Sequence, residues 1–230
     1  MRVSIKDKDN YMCYHLSDLS PEYEKVLKDN HYIKEGDSFY KCFKLPFANT
    51  TETKHNFLKY AEEMFSHIVS LKPMKWKEGL MYFASIAKDS DIDWWTTGKA
   101  ALALMGVDVI VDDLDFIFYT PDITLVNEAF KEYIVEPIVS TEGTKRDGIF
   151  KYYGVAYSYC RTCFMFEPFA SLDNPEPVHF GQYAVKNLET IKWNGFDIKV
   201  APLDLHLKTY ERWGSKHTVQ KIQEFLNKDY

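Results

Sequence analysis

The sequence predicts an α+β protein in which a mixed β-sheet is backed by helices. Two helical segments come first, a strand–helix–strand–helix–strand order follows from about residue 93, and two further helices close the chain. This order differs from a regular βαβ repeat and is typical of α+β domains. We divide the chain into a small N-terminal α+β appendage (1–50), a core (51–200) and a C-terminal helical segment packed on the core (201–230).

The appendage is predicted from one helix and one hairpin. Ser20 followed by Pro21 resembles a helix start, because proline is favoured at the first helical position. Residues 31–45 place strand-forming side chains on both sides of Glu35-Gly36-Asp37, which predicts a hairpin with its turn there. Together these elements indicate a small α+β unit.

Two helices are predicted to open the core. From Thr51 the apolar residues follow helical spacing until Pro73, which ends the pattern. A second helix is predicted over Lys75–Lys88. The apolar positions of the first helix are Phe57, Ala61, Met64, Phe65, Ile68 and Leu71.

The later core mixes helix and strand signals. A helix is predicted over Asp122–Val135, capped by Asp122 and ended by Pro137. Residues 149–169 are rich in strand formers and predict two strands joined near Gly154. Residues 191–200 contain Asn-Gly between apolar runs, the strongest short hairpin signal. The two C-terminal helices are predicted over Leu203–Trp213 and Thr218–Asn227.

The most informative segment is residues 93–119, which predicts a strand, a glycine turn, a short alanine-rich helix and a second strand. Asp113 and Asp115 lie two residues apart on that second strand, so both carboxylates face the same side of the sheet. Two such carboxylates repel each other unless a cation lies between them, and oxygen ligands suit Mg²⁺. The turn at Gly98 predicts backbone N–H groups available to phosphate. The segment therefore indicates a site for a nucleoside triphosphate.

This segment resembles the signature of the DNA polymerase beta-like nucleotidyltransferase superfamily. The signature has an apolar residue, Gly, then Gly or Ser, a helical spacer, and Asp-apolar-Asp/Glu-apolar. Six residues match it in order: Thr97, Gly98, Asp113, Leu114, Asp115 and Phe116. Lys99 departs from it, since Gly or Ser is usual at that position. The resemblance covers about residues 92–120 and is closest to the small stand-alone bacterial members, which include toxin-type and antibiotic-modifying enzymes.

The resemblance implies an activity and a set of site residues. The family transfers a nucleoside monophosphate from a nucleoside triphosphate to an acceptor hydroxyl, using Mg²⁺ and releasing pyrophosphate. Asp113 and Asp115 would then be catalytic metal ligands. A third carboxylate is expected on a neighbouring strand, with Glu167 the first candidate and Asp197 the second. Thr97, Gly98 and Lys99 would hold the phosphates of the nucleotide.

Two other interpretations remain open at this point. The chain could be a catalytically degenerate member of the same fold that acts as a binding or interaction module, which Lys99 and the ambiguous third carboxylate favour. It could also be an unrelated α+β protein in which the signature is accidental. Convergence of Asp113, Asp115 and Glu167 beside the Gly98 turn would distinguish these interpretations.

Composition limits the partners and the compartment. The formal net charge is −6, which argues against long duplex DNA and fits a protein, a tRNA end or a small molecule as acceptor. No apolar run reaches the length of a membrane span and the N-terminus does not resemble a signal peptide, so no membrane association and a cytoplasmic location are expected.

The four cysteines predict neither a disulfide scaffold nor a metal site. Cys13, Cys42, Cys160 and Cys163 are few and scattered. Cys160 and Cys163 form a CxxC motif, which can bind zinc or act in redox chemistry. Their surroundings are typical of a strand, where positions three apart face opposite sides. Buried structural thiols are the favoured interpretation.

Overall fold

The computed structural model of the protein describes residues 1–69, 74–118 and 123–228. Within these ranges the strands form a four-stranded sheet and a seven-stranded sheet. No helix in the same ranges combines the length and the apolar character that a membrane span requires. The predicted helix end at Pro73, its apolar position Leu71 and the predicted helix cap at Asp122 lie outside the described residues.

The small sheet is antiparallel, with the strand order β1-β2-β4-β3. The hairpin predicted in residues 31–45 is confirmed. Strands β3 and β4 are antiparallel neighbours, and Glu35 pairs with Ser38 next to the turn. The predicted helix is also confirmed and begins directly after Pro21. The β1–β2 hairpin was not predicted. The elements are β1 (Arg2–Lys8), β2 (Tyr11–Ser17), α1 (Glu22–Asp29), β3 (Ile33–Glu35) and β4 (Ser38–Lys44).

The large sheet is mixed and has the order β10-β11-β5-β6-β9-β8-β7. Strand β6 runs antiparallel to β5 and parallel to β9, so the two strands beside β6 are the ones that can bring residues to its carboxylates. The predicted hairpin at Asn194-Gly195 joins β10 and β11. The strands are β5 (Trp94–Thr97), β6 (Leu114–Phe118), β7 (Ile134–Ser140), β8 (Phe150–Tyr157), β9 (Arg161–Pro168), β10 (Glu189–Trp193) and β11 (Phe196–Val200).

Helices cover both faces of this sheet. Apolar side chains of α3 and β6 stack in its main core, where the ring centroids of Phe83 and Phe116 lie 3.7 Å apart. The two C-terminal helices are confirmed within a few residues of their predicted bounds. The helices are α2 (Thr50–Ile68), α3 (Trp76–Asp89), α4 (Gly98–Leu104), α5 (Ile123–Ala129), α6 (Gln182–Val185), α7 (Leu203–Arg212) and α8 (Lys216–Leu226), with a 3₁₀ turn at Ala170–Asp173.

The small sheet shares a hydrophobic core with the large one. Helix α2 packs against strands of both sheets, and the ring of its Phe57 stacks on Tyr14 of β2 with a centroid distance of 3.5 Å. The Tyr14 hydroxyl donates to the Val135 carbonyl of β7 at 2.6 Å. Lys41 of β4 and Glu136 of β7 form an ion pair of 2.6 Å with both side chains nearly buried. Burial alone would raise the pKa of Glu136, but the Lys41 ammonium holds it below its ordinary value.

Two sequence predictions in the core are wrong in detail. The helix predicted to reach Val135 ends at Ala129, and residues 134–140 form strand β7 instead. This segment is rich in β-branched residues, and Pro137 is tolerated because β7 is an edge strand whose register shifts on both sides of Glu136. Gly154 is inside β8, where a Cβ atom would stand 2.6 Å from the Ile138 side chain. The chain turns at Ser158–Cys160 instead.

One disulfide was not predicted. Cys13 and Cys42 lie opposite each other on neighbouring antiparallel strands and are joined. The expectation of a cytoplasmic location did not anticipate this bond, since disulfides are uncommon in reducing compartments. Cys160 and Cys163 are free and buried, as the favoured interpretation of the CxxC motif has it.

Candidate active site at the Gly98 turn

The carboxylates of Asp113 and Asp115 converge at the start of β6. One ligand atom of each, together with the Cys163 sulfur, lies within 4.8 Å of the other two. Cys163 enters this group because β9 runs parallel to β6 and places it opposite Asp115 in register. The Asp112 carboxylate is exposed and forms an ion pair with Lys99. The structure therefore brings the predicted pair together, with a thiol as the third member.

The glycine turn lies directly against this pair. Thr97 at the end of β5 is in register with Asp115, and Gly98 begins α4 with a φ of +68°. A Cβ atom on Gly98 would stand 2.8 Å from the Asp115 Oδ2 atom. Glycine is needed here for two reasons, the left-handed backbone and the close approach of the carboxylate.

Arg161 is a member of the site that the sequence analysis missed. Its buried guanidinium donates to Asp113 Oδ2 at 2.8 Å, to the Tyr153 hydroxyl at 3.0 Å and to the Cys163 sulfur at 2.8 Å. The residue stands inside the CxxC motif, between Cys160 and Cys163. A lone arginine in an otherwise apolar strand could have indicated this contact, because a buried cation requires an anionic partner.

The surroundings shift the protonation of the carboxylates. The pKa of Asp115 is raised to about 8, first by burial and then by the neighbouring Asp113 carboxylate. Burial also raises the pKa of Asp113, against the opposing effect of the Arg161 guanidinium. Burial raises the pKa of the Cys163 thiol well above its ordinary value. Without a further cation, this group therefore favours the protonated forms of Asp115 and Cys163.

The side chains of Thr97 and Lys99 already have partners. The Thr97 hydroxyl donates to the His179 carbonyl at 3.1 Å and contacts the His179 Nδ1 atom. A hydroxyl has one proton to donate, so Nδ1 is the donor of the second bond. His179 in turn stacks on His206 with ring centroids 4.3 Å apart. These two buried histidines pack beside the strand end before Gly98. Lys99 is held by Asp112.

The two candidates for a third carboxylate lie away from the pair. Glu167 is on β9, four residues beyond Cys163, which corresponds to about 13 Å along a strand. It forms an ion pair with Lys151 and lines a separate cavity of about 350 Å³. Asp197 is exposed on β11 opposite Lys192. Cys163 therefore stands where a third carboxylate was expected.

A pocket of about 410 Å³ opens over the carboxylates. Asp113, Asp115 and Arg161 line one part of it, and Arg146 lines another. Asp29 and Asn30, at the end of α1, contribute to its wall. The N-terminal appendage therefore takes part in shaping the site.

The donor set fits a hard divalent cation in part. The oxygens of Asp113 and Asp115 are ligands that Mg²⁺ prefers. The Cys163 sulfur is a soft donor, which a hard cation such as Mg²⁺ disfavours as a ligand. The Arg161 guanidinium already neutralises part of the charge of Asp113.

Comparisons with known proteins support the fold. No family model matches this chain. No curated protein matches it by sequence. The chain is similar to a solved structure from Thermotoga maritima described as a putative nucleotidyltransferase, with a TM-score of 0.50 and 18% identity. The likeness covers 67% of this chain and 94% of that one. The predicted α+β class is confirmed, and the fold is nucleotidyltransferase-like.

Proposed function

We propose that this protein is a Mg²⁺-dependent nucleotidyltransferase that transfers a nucleoside monophosphate from a nucleoside triphosphate to a hydroxyl group. The observation that carries the proposal is the convergence of Asp113 and Asp115 against the Gly98 turn on a nucleotidyltransferase-like fold. Fold likeness alone would leave the activity open, because one fold hosts many functions. The paired carboxylates supply the chemical argument.

Each residue of the proposed site would have a separate role. Asp113 and Asp115 would hold Mg²⁺, which would neutralise charge on the transferred phosphoryl group and lower the pKa of the acceptor hydroxyl. Arg161 fixes the orientation of Asp113 through a direct hydrogen bond. Gly98 allows the backbone to approach Asp115. Thr97 and Lys99 would contribute to phosphate binding only by exchanging their present contacts with His179 and Asp112.

The acceptor belongs to the classes that an acidic protein can bind. A net charge of −6 favours a protein, a tRNA end or a small molecule over long duplex DNA. A pocket of about 410 Å³ with an open mouth is of a size that suits a small ligand or the reactive end of a larger one.

Calorimetric titration with ATP, GTP, CTP and UTP, each with and without Mg²⁺, tests the metal–triphosphate site. We expect binding that requires Mg²⁺ and is abolished in the double variant Asp113→Asn/Asp115→Asn. Asp197→Asn is the control, because Asp197 is an exposed carboxylate on β11 that lies away from the pair. Unchanged affinity in the double variant would refute the assignment.

A second candidate is a binding module of the same fold that has lost catalysis. Two features of the site favour it. Arg161 forms an ion pair with Asp113, and the thiol of Cys163 lies where a third carboxylate was expected. Both candidates allow nucleotide binding. Transfer of label from an α-phosphate-labelled nucleotide, with release of pyrophosphate, distinguishes them. Binding without release in the presence of protein, tRNA and small hydroxyl acceptors would favour the module.

A further inference from the structure

One wall of the pocket over the carboxylates carries a cation of its own. Arg146 lies in the loop between β7 and β8 and lines the same pocket as Asp113 and Asp115. Its guanidinium carbon stands 3.7 Å from the centroid of the Tyr153 ring. Stacking on an aromatic face leaves the N–H groups at the guanidinium edge free to donate. The arginine is therefore held in place without losing its donors.

Arg146 differs from the other cations around the pocket in having no carboxylate partner. Arg161 pairs with Asp113, and Lys99 pairs with Asp112. Among the residues that the structure describes, no carboxylate lies within ion-pair distance of Arg146. Its charge is available to a ligand.

The surroundings of Arg146 are positive. The pKa of His31 is lowered to about 4, first by burial and then by Arg146, Lys41 and Lys145. Lys41 is neutralised by its ion pair with Glu136, and Lys145 is exposed on the loop. The pocket therefore has the paired carboxylates of Asp113 and Asp115 in one part and the Arg146 guanidinium in another, with Asp29 as a further acidic lining residue. A pair of carboxylates near a guanidinium that has no ion-pair partner among the described residues suits a metal ion bound to an anionic group.

We propose that Arg146 is the residue that binds the phosphate groups of the nucleotide in this pocket. The proposal rests on the proposed function and names a phosphate ligand outside the Thr97-Gly98-Lys99 turn. A guanidinium can donate two parallel N–H groups to phosphate oxygens, whereas an ammonium acts as a point charge. Asp113 and Asp115 would hold Mg²⁺ in one part of the pocket, and Arg146 would bind the phosphates from another part of it.

The test compares variants by calorimetry with two probes in the presence of Mg²⁺, the nucleoside triphosphate that the wild type prefers and inorganic tripolyphosphate. Arg146→Met removes the charge and keeps an unbranched side chain. We expect this variant to bind each probe with an affinity lower by about tenfold or more. Arg146→Lys keeps the charge and loses the planar fork, so it is expected to lie in between. Lys145→Met removes the adjacent charge of the same loop and is expected to change little.

The outcomes separate the inference from the proposed function. Wild-type protein that binds neither probe would overturn the proposed function itself. Wild-type binding with equal affinities for Arg146→Met and Lys145→Met would overturn the role of Arg146 and leave the function standing. Melting temperatures of the three variants within a few degrees of the wild type establish that lost binding is not lost folding, and Arg146→Lys supplies the comparison if Arg146→Met unfolds.

Discussion

The Oδ2 atom of Asp115 lies 2.8 Å from the position that a Cβ atom on Gly98 would occupy. The strand that ends before Gly98 and the strand that carries Asp115 are paired in register, so this contact is fixed by the sheet. The Asp115 carboxylate lies against the backbone of Gly98, which has a left-handed conformation. Gly98 is therefore coupled to the proposed metal ligand through direct contact.

Replacing Gly98 by alanine is expected to cost stability in two parts. A non-glycine residue at positive φ costs about 1–2 kcal/mol, and the new methyl group must also displace the Asp115 carboxylate. Gly214→Ala is the matched control, because Gly214 has the same φ of +68° and has no atom within 4 Å of the added Cβ. Urea unfolding should show a larger loss for Gly98→Ala, and Mg²⁺-dependent nucleotide binding should fall in that variant alone. Equal losses would mean that the Asp115 contact is unimportant.

The stability of the metal-free protein should depend on pH through Asp115. Its pKa is raised to about 8 in the folded protein, against about 3.9 in an unfolded chain. Between these values the folded protein binds the extra proton, so stability decreases as the pH rises from about 4 to about 8 and then levels off. Asp115→Asn removes this proton-binding group and should show a shallower decrease. Urea unfolding in EDTA across this interval measures both slopes, and parallel slopes would contradict the assignment.

The parts of the site that could be predicted from sequence are those made by neighbouring residues. Gly98, Asp113 and Asp115 belong to one short strand–turn–helix–strand segment, and strand periodicity alone places the two carboxylates on one face. Arg161 reaches Asp113 only through the parallel pairing of β6 with β9, which no local pattern specifies. The same pairing brings Cys163 into the group.

Glu167 illustrates the limit of the same reasoning. The position of Glu167 at the end of an apolar strand suited a third ligand. However, the register of β9 against β6 decides which residue of β9 lies opposite Asp115, and that residue is Cys163. Elsewhere the helix predicted over residues 122–135 is present at Ile123–Ala129, but its last residues belong to β7, because Ile134 and Glu136 pair with β8. Local propensity does not include such pairing.

Replacing Glu167 by glutamine is expected to leave Mg²⁺ binding unchanged. The carboxylate pairs with Lys151 at the rim of a different cavity. Because the Lys151 side chain is exposed, solvent screens the pair, and its loss is expected to change stability little. Calorimetry with Mg²⁺ and nucleotide, run beside Asp113→Asn, compares the two carboxylates directly. A loss of affinity in Glu167→Gln as large as that in Asp113→Asn would restore Glu167 as a ligand.

Arg161 and Mg²⁺ are expected to compete for the same carboxylate. In the absence of metal, Arg161→Met leaves the Asp113 carboxylate without its neutralising cation. Loss of one partner from a fully buried pair costs about 3–5 kcal/mol, and the cost here is smaller because 29% of the Asp113 side chain is exposed. Mg²⁺ can take the place of the guanidinium, so it should stabilise Arg161→Met more than it stabilises the wild type.

Thermal unfolding of the wild type and of Arg161→Met, each in EDTA and in excess Mg²⁺, measures this competition. The expected result is a larger rise in melting temperature for the variant. Asp113→Asn/Arg161→Met is the control, because it removes the carboxylate together with its partner and should lose most of the Mg²⁺ effect. If Mg²⁺ raises the melting temperature of Arg161→Met no more than that of the wild type, the guanidinium does not compete with the metal. The arginine would then be a structural counterion of Asp113 only.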